Sequence, residues 1–168
     1  YNDTFADAMF KSSFRQEYNV SASGGNDKTN YYMSIGYLDN DSYIIGSSYD
    51  RLTARVNVDS QVKKWLRVGT NIGYAKTTKR GVNETTGKAS NPFETARSLA
   101  PIFPVHAYDA EGNVKLDSSG NPIYDAGTGQ TDGTKTRPVA TNQNIIVNLN
   151  EDIKKSEYNN LTSRSFIE

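Results

Sequence analysis

Any chemistry in this chain has to come from one histidine, scattered carboxylates, two short acidic turns and a set of arginines. His106 is the sole histidine. A nucleophilic triad or an imidazole metal site needs partners, and the neighbouring sequence offers none, so His106 is read as a loop-packing residue. Asp109-Ala-Glu-Gly112-Asn113 recurs eight residues later as Asp117-Ser-Ser-Gly120-Asn121. Oxygen-rich loops can hold Ca²⁺, which makes Asp109 and Asp117 weak calcium candidates. Neither repeat has the ligand spacing or closing Glu of an EF-hand loop, so a pair of hairpin turns is the preferred reading. Asp39-Asn40-Asp41 is a similar case. Glu94, Asp109 and Glu111 could serve a hydrolase only if the fold brought them together, and sequence spacing fixes no distance between them. No catalytic residue, resident metal or cofactor is expected, and the chain is not read as an enzyme.

The arginines belong to a pattern. Side chains alternate between the two faces of a strand. In Tyr31 to Tyr37, one face is Tyr31, Met33, Ile35 and Tyr37, and the other is Tyr32, Ser34 and Gly36. In Arg51 to Asp59, Leu52, Ala54, Val56 and Val58 alternate with Arg51, Thr53, Arg55, Asn57 and Asp59. In Leu66 to Lys76, Leu66, Val68, Ile72 and Tyr74 alternate with Arg67, Gly69, Asn71 and Gly73. Each strand thus has an apolar wall and a wall of Gly, Ser, Asn and Arg. A soluble sheet with one wet face fits this pattern. So does a membrane barrel with its apolar wall in lipid and its polar wall in the lumen.

The strands are placed near 18–23, 31–38, 51–59, 65–76 and 161–168. Gly24 to Lys28 reads as a tight turn in which Gly and Asn supply positive φ, and Ser60 to Lys64 as a second short one. Residues 39–50 form a longer loop around Tyr43-Ile44-Ile45-Gly46, and residues 77–160 a very long one. Connections therefore alternate short and long, as in outer-membrane barrels with short periplasmic turns and long external loops. Two short helices are expected. One is a short amphipathic turn or helix carrying Phe5, Met9 and Phe10. The other is capped by Asn91, with Pro92 at its first position and Glu94 reaching back, and it runs to about Leu99, because Pro101 disfavours helix at Ala100. Short strand-like pieces flank the Asp-x-x-Gly-Asn turns, and the Gly/Thr-rich segment 125–137 is expected to be mobile.

Bulk properties prune the alternatives. The 168 residues suffice for one ordinary domain. Lys+Arg and Asp+Glu number 19 each, so no net charge draws the chain to nucleic acid. The absence of cysteine removes disulfides and thiolate metal sites. No apolar run reaches the roughly 18 residues of a transmembrane helix. Mean hydropathy of −0.70 looks soluble, although barrel strands dilute their lipid-facing residues and escape such averages. The chain is expected to be a piece of something larger.

An ordered series of motifs now carries a resemblance. Tyr18-Asn-Val-Ser-Ala-Ser-Gly-Gly25, Tyr31-Tyr-Met-Ser-Ile-Gly-Tyr37, Arg51-Leu-Thr-Ala-Arg-Val-Asn57 and Trp65-Leu-Arg-Val-Gly-Thr-Asn71 resemble the SusC/RagA family of TonB-dependent outer-membrane transporters of Bacteroidetes. Pro101-Ile-Phe-Pro104 followed by Asp109 to Asn113 is similar to a later family segment. The opening Asn2 to Phe10 is similar to a looser motif, with Phe5 where that motif usually carries Trp. The resemblance is strong over 18–76 and weak over 125–157. It implies an all-β fold in which about five strands are a segment of a large antiparallel transmembrane β-barrel of about 22 strands. A plug domain and the rest of the barrel would lie outside this chain. The loops at 39–50 and 77–160 would be extracellular, the latter with one short helix and small hairpins, beneath a SusD-like lipoprotein. TonB would act through the plug, and the cargo would be glycan oligomers or peptides.

On that reading the lumen-facing candidates are Tyr32, Arg51, Arg55, Asn57, Arg67 and Asn71, paired to the plug or touching solute. The lipid-facing and girdle candidates are Tyr31, Met33, Ile35, Tyr37, Val56, Trp65, Ile72 and Tyr74. The competing reading is a soluble, secreted β-sandwich that stacks sugars on its tyrosines.

Overall fold

The computed structural model describes residues 3–82, 91–151 and 153–168. In chain order the elements are α1 (Phe5–Met9), β1 (Arg15–Gly25), β2 (Thr29–Asp41), β3 (Ser48–Lys63), β4 (Leu66–Val82), α2 (Pro92–Ser98), α3 (Ile145–Glu151) and β5 (Ile153–Ile167). The five strands make one sheet in the order β1-β2-β3-β4-β5. The chain divides into two compact units.

The first unit is the sheet, from Ser13–Asp41, Ser48–Arg80 and Lys155–Glu168. Its pairing is antiparallel and continuous, with Val20 opposite Ile35, Ile35 opposite Ala54, and Ala54 opposite Tyr74. Arg67 and Glu168 exchange both backbone hydrogen bonds at 2.9 Å, the closely spaced pair of an antiparallel ladder. The strands run beyond the stretches marked by sequence alternation. β3 has 16 residues, β4 has 17 and β5 has 15. The loop expected over 77–160 is shortened at both ends by β4 and β5. Backbone pairing continues through Lys76 to Arg80 without any apolar pattern to announce it.

The turn after β1 works differently from the sequence expectation. Gly24 and Gly25 belong to β1 and neither has positive φ. Asn26 Oδ1 instead accepts from the backbone N–H groups of Lys28 and Thr29, each at 2.9 Å. The glycines are needed for room: a Cβ at Gly24 would strike the Tyr31 ring, and one at Gly25 the backbone of Thr29. Between β3 and β4 only Lys64 and Trp65 remain outside the strands, after an irregularity between Gln61 and Lys63.

The second unit gathers Ser42–Ser47 with the described parts of Tyr1–Ser12 and Gly81–Lys154. It has a core of its own: Phe5, Met9, Leu99, Val105, Ile145, Ile146 and Leu149, with Ile44 and Ile45 packed against it. α1 is capped by Thr4, whose side chain accepts from Asp7 N–H, and it buries Phe5 and Met9. α2 is capped by Asn91 Oδ1, which accepts from the N–H groups of Phe93 at 3.1 Å and Glu94 at 3.3 Å. Its last residue is Ser98 and Leu99 is its C-cap, at the expected limit. α3 has no counterpart in the sequence reading. Its buried Ile145 and Ile146 lie one turn before the buried Leu149, and Asn144 Oδ1 accepts from Ile146 N–H at 3.0 Å.

The Asp-x-x-Gly-Asn segment is more than two turns. Lys115 N–H donates to Ala107 C=O, Ile123 N–H to Lys115 C=O, and Ala107 N–H back to Ile123 C=O, at 2.8–2.9 Å. Three rungs spaced eight residues apart thus close on themselves. Gly112 and Gly120 occupy the same place in each turn, with φ of 86° and 84°, where a side chain would be strained. The segment 125–137, expected to be mobile, is pinned by buried polar groups. Asp125, Thr131 and Arg137 are at most 4% exposed. Asp125 accepts from Gly127 N–H and from the Thr131 hydroxyl, both at 2.6 Å.

Candidate functional site

The sheet brings together all six polar-wall candidates. Register and alternation place Tyr32 beside Asn57 and Asn57 beside Asn71 on one face, with Arg55, Arg51 and Arg67 on that same face. Arg67 is fully engaged. Its Nε and Nη2 donate to the two carboxylate oxygens of Asp59 at 2.9 and 2.6 Å, and its guanidinium lies 5.5 Å from the Phe166 ring centroid. This bidentate pair is a self-satisfied structural contact.

Above the same wall lies a concavity of about 1080 Å³, with Arg51, Arg55 and Arg164 among its lining residues and Asn57, Asn71 and Thr162 between them. Arg164 and Thr162 come from β5, which the sequence reading left out of the site. The signal was present in Thr162-Ser163-Arg164, but that stretch lacks a clean apolar partner face. Among the described residues, Arg55 and Arg164 have no ion-pair partner.

The apolar-wall candidates share the opposite face, where Met33 faces Val56 and Val56 faces Ile72. Nothing described covers them: Met33 is 47% exposed, Ile35 53% and Val56 40%. Tyr31, Tyr37 and Tyr74 lie on this face, Tyr74 donating its hydroxyl to Asn159 Oδ1 at 2.9 Å. Trp65 is not on a strand. It sits in the two-residue turn between β3 and β4, 72% exposed, with Lys63 Nζ 5.5 Å from its ring centroid.

The remaining chemistry candidates lie in the second unit. His106 does have a partner, contrary to the sequence reading, and it comes from 103 residues away. Asp3 Oδ2 lies 2.8 Å from His106 Nδ1 and also accepts from His106 backbone N–H at 2.9 Å and Tyr108 hydroxyl at 3.3 Å. The ring stacks on Tyr124. Among the described residues only the Tyr108 hydroxyl and the Tyr124 ring join this pair, which fastens the chain near Asp3 to the β-turn segment. Asp109 and Asp117 spend their oxygens on their own turns. Asp109 Oδ1 accepts from Asn113 N–H at 2.7 Å, and Asp117 Oδ1 from Ser119 and Asn121 N–H at 2.8 and 2.9 Å. The Asn113 and Asn121 N–H groups hold these carboxyls below the ordinary carboxylate range. Among the described residues no group of three or more acidic or histidine side chains could hold a metal.

Sequence reasoning had no access to Arg137. It is 3% exposed and donates to the carbonyls of Gln143 at 2.7 Å, Ala140 at 3.2 Å and Asp125 at 3.4 Å. Burial pushes its pKa down, partly opposed by the charge of Asp125. Its Nε and Nη1 have no partner among the described residues, and the guanidinium lies over the Phe5 ring. It is a structural clamp, remote from any open surface.

No protein-family profile matches the chain. TonB-dependent receptor P3 of Formosa agariphila is 29% identical over 126 residues, 73% of this chain and 12% of that protein. TonB-dependent receptor P39 of the same organism is 31% identical over 78 residues, 46% of this chain and 8% of that protein. Among solved structures, the RagAB peptide transporter aligns at 25% identity with a TM-score of 0.48, over 73% of this chain and 14% of that one. The chain therefore spans about a tenth of the length of these curated relatives, and it is a sequence relative of TonB-dependent receptors, in keeping with its SusC/RagA-like motifs.

Proposed function

We propose that this chain is a stretch of barrel wall, with attached extracellular loops, from a TonB-dependent outer-membrane transporter. The observation that carries this reading is the uncovered apolar wall. A sheet facing water on one side needs a core on the other, yet the wall centred on Met33, Ile35, Val56 and Ile72 has none among the described residues. Lipid supplies the missing apolar phase. Strand length supports it: β2 to β5 have 13 to 17 residues, more than the roughly 9–11 that cross a bilayer at a tilt. The sandwich alternative requires a second sheet over this wall, and the described strands form a single sheet.

On this proposal the polar wall faces the lumen, the second unit lies outside the cell beneath a SusD-like lipoprotein, and TonB acts through a plug domain outside this stretch. The cargo is a glycan oligomer or peptide, moved without covalent chemistry. The test is membrane fractionation of the full-length transporter with gel mobility compared before and after boiling. Outer-membrane recovery with a heat-dependent mobility shift is expected. Recovery in a soluble fraction with unchanged mobility would sink the proposal.

A further inference from the structure

Arginines on the polar wall fall into two kinds. Arg67 is neutralised by Asp59 in a bidentate pair, and Arg15 is paired with Glu17 at 2.8 Å. Arg55 and Arg164 have no such partner among the described residues. Both line the concavity over the polar wall, with Arg51 farther along β3. Gly73, the register partner of Arg55, floors it. A Cβ built at Gly73 meets nothing within 4 Å, so the floor is open. Unpaired cations gathered over one open floor make that floor electropositive, which favours an anionic ligand.

The surroundings select among anions. The row beside the unpaired arginines runs Tyr32, Asn57, Asn71, and Thr53, Thr162 and Asn160 also line the concavity. Amides and hydroxyls match the alternating donors and acceptors of sugar hydroxyls, and a tyrosine ring beside them offers an apolar plane for a pyranose face. Guanidinium groups hold carboxylates through paired, charge-assisted bonds. Resting on the transporter reading above, we propose that Arg55 and Arg164 form a lumen-wall binding site for the carboxylates of an acidic oligosaccharide, with Arg51 as a further contact along its path.

The experiment uses the full-length transporter, purified in detergent with its natural partners. Calorimetric titrations employ a uronic-acid tetrasaccharide, a neutral glucose tetrasaccharide and a tetraglutamate peptide. The uronate should bind best, and more weakly as salt rises. Arg55→Gln and Arg164→Gln should each weaken it about tenfold or more. Lys28→Gln, in the short turn after β1, should leave it unchanged. Equal binding of the neutral sugar, or uronate binding unaffected by either substitution, would overturn the proposal. Tetraglutamate binding best, with the same arginine dependence, would overturn it in favour of peptide cargo. Unchanged uronate binding combined with new sensitivity to large antibiotics would assign the arginines to the plug instead. Heat-modifiable outer-membrane recovery of each variant separates these results from a failure of the barrel reading itself, which would remove the lumen site with it.

Discussion

The two units of this chain dispose of their apolar residues in opposite ways. In the second unit they go inward: Met9 and Leu149 are 0% exposed, and short helices with little length of their own are held by that core. In the sheet they go outward, so that Met33, Ile35, Val56 and Ile72 form a bare wall. The second unit carries its own apolar phase. The sheet has none among the described residues, and on the transporter proposal lipid supplies it. The contrast explains why a chain with a hydropathy suited to water can still offer a membrane-facing surface, since only every second residue of a strand has to be apolar.

Substitutions can sharpen this contrast. The largest effect is expected in the second unit's core. Leu149→Ala should cost about 2–5 kcal/mol, read as faster hydrogen exchange at amides around Val105 and Ile146, with outer-membrane level little changed. If exchange speeds up equally in the sheet, the two units are not separately stabilised. Arg137→Ala comes next. It removes the Arg137 donor from the carbonyls of Gln143 and Ala140, while Asp125 C=O keeps Asn144 Nδ2 at 3.0 Å, and should cost about 2–3 kcal/mol by the same exchange measurement. No change would mean that the unpartnered Nε and Nη1 already offset those bonds. Asn91→Ala removes the cap of α2 and should cost about 1 kcal/mol, visible as faster exchange at Phe93 and Glu94 alone.

The smallest effect is acid sensitivity of the two Asp turns. Their carboxyl pKa values are lowered in the fold, so their stabilisation is complete above the unfolded-state value. It fades as pH falls below the ordinary carboxylate value of about 4 and through the lowered one. Protection of the Asn113 and Asn121 amides should drop across that window. Asp109→Asn and Asp117→Asn should flatten the drop, and an unaltered profile would remove the carboxylates from the explanation.

How much was legible in the sequence follows the same division. Strand faces were readable because alternation is a local property: Tyr31 to Tyr37 declares its two walls without help from any other segment. Strand ends were not, because pairing through Lys76 to Arg80 rests on backbone hydrogen bonds indifferent to side-chain pattern. α3 was hidden by Ile145-Ile146-Val147, a β-branched run that disguises a helix, although the Ile145, Ile146 and Leu149 spacing and the Asn144 cap were there to be found. The His106–Asp3 contact and the seating of Arg137 over Phe5 depend on residues brought together from far along the chain. Of the polar wall, the residue types on β3 and β4 were legible. The contribution of Arg164 required the fifth strand to be paired in register.

The most direct test of the membrane-wall claim compares arginine substitutions on the two faces of the same strands in the full-length transporter. Ile35→Arg and Val56→Arg place charge on the apolar wall, at a cost of about 2–4 kcal/mol near mid-bilayer. Ser34→Arg and Thr53→Arg place it on the polar wall. A marked fall in heat-modifiable outer-membrane protein for the first pair, with near-normal levels for the second, is the expected result. Equal tolerance of both pairs would contradict a lipid-facing apolar wall.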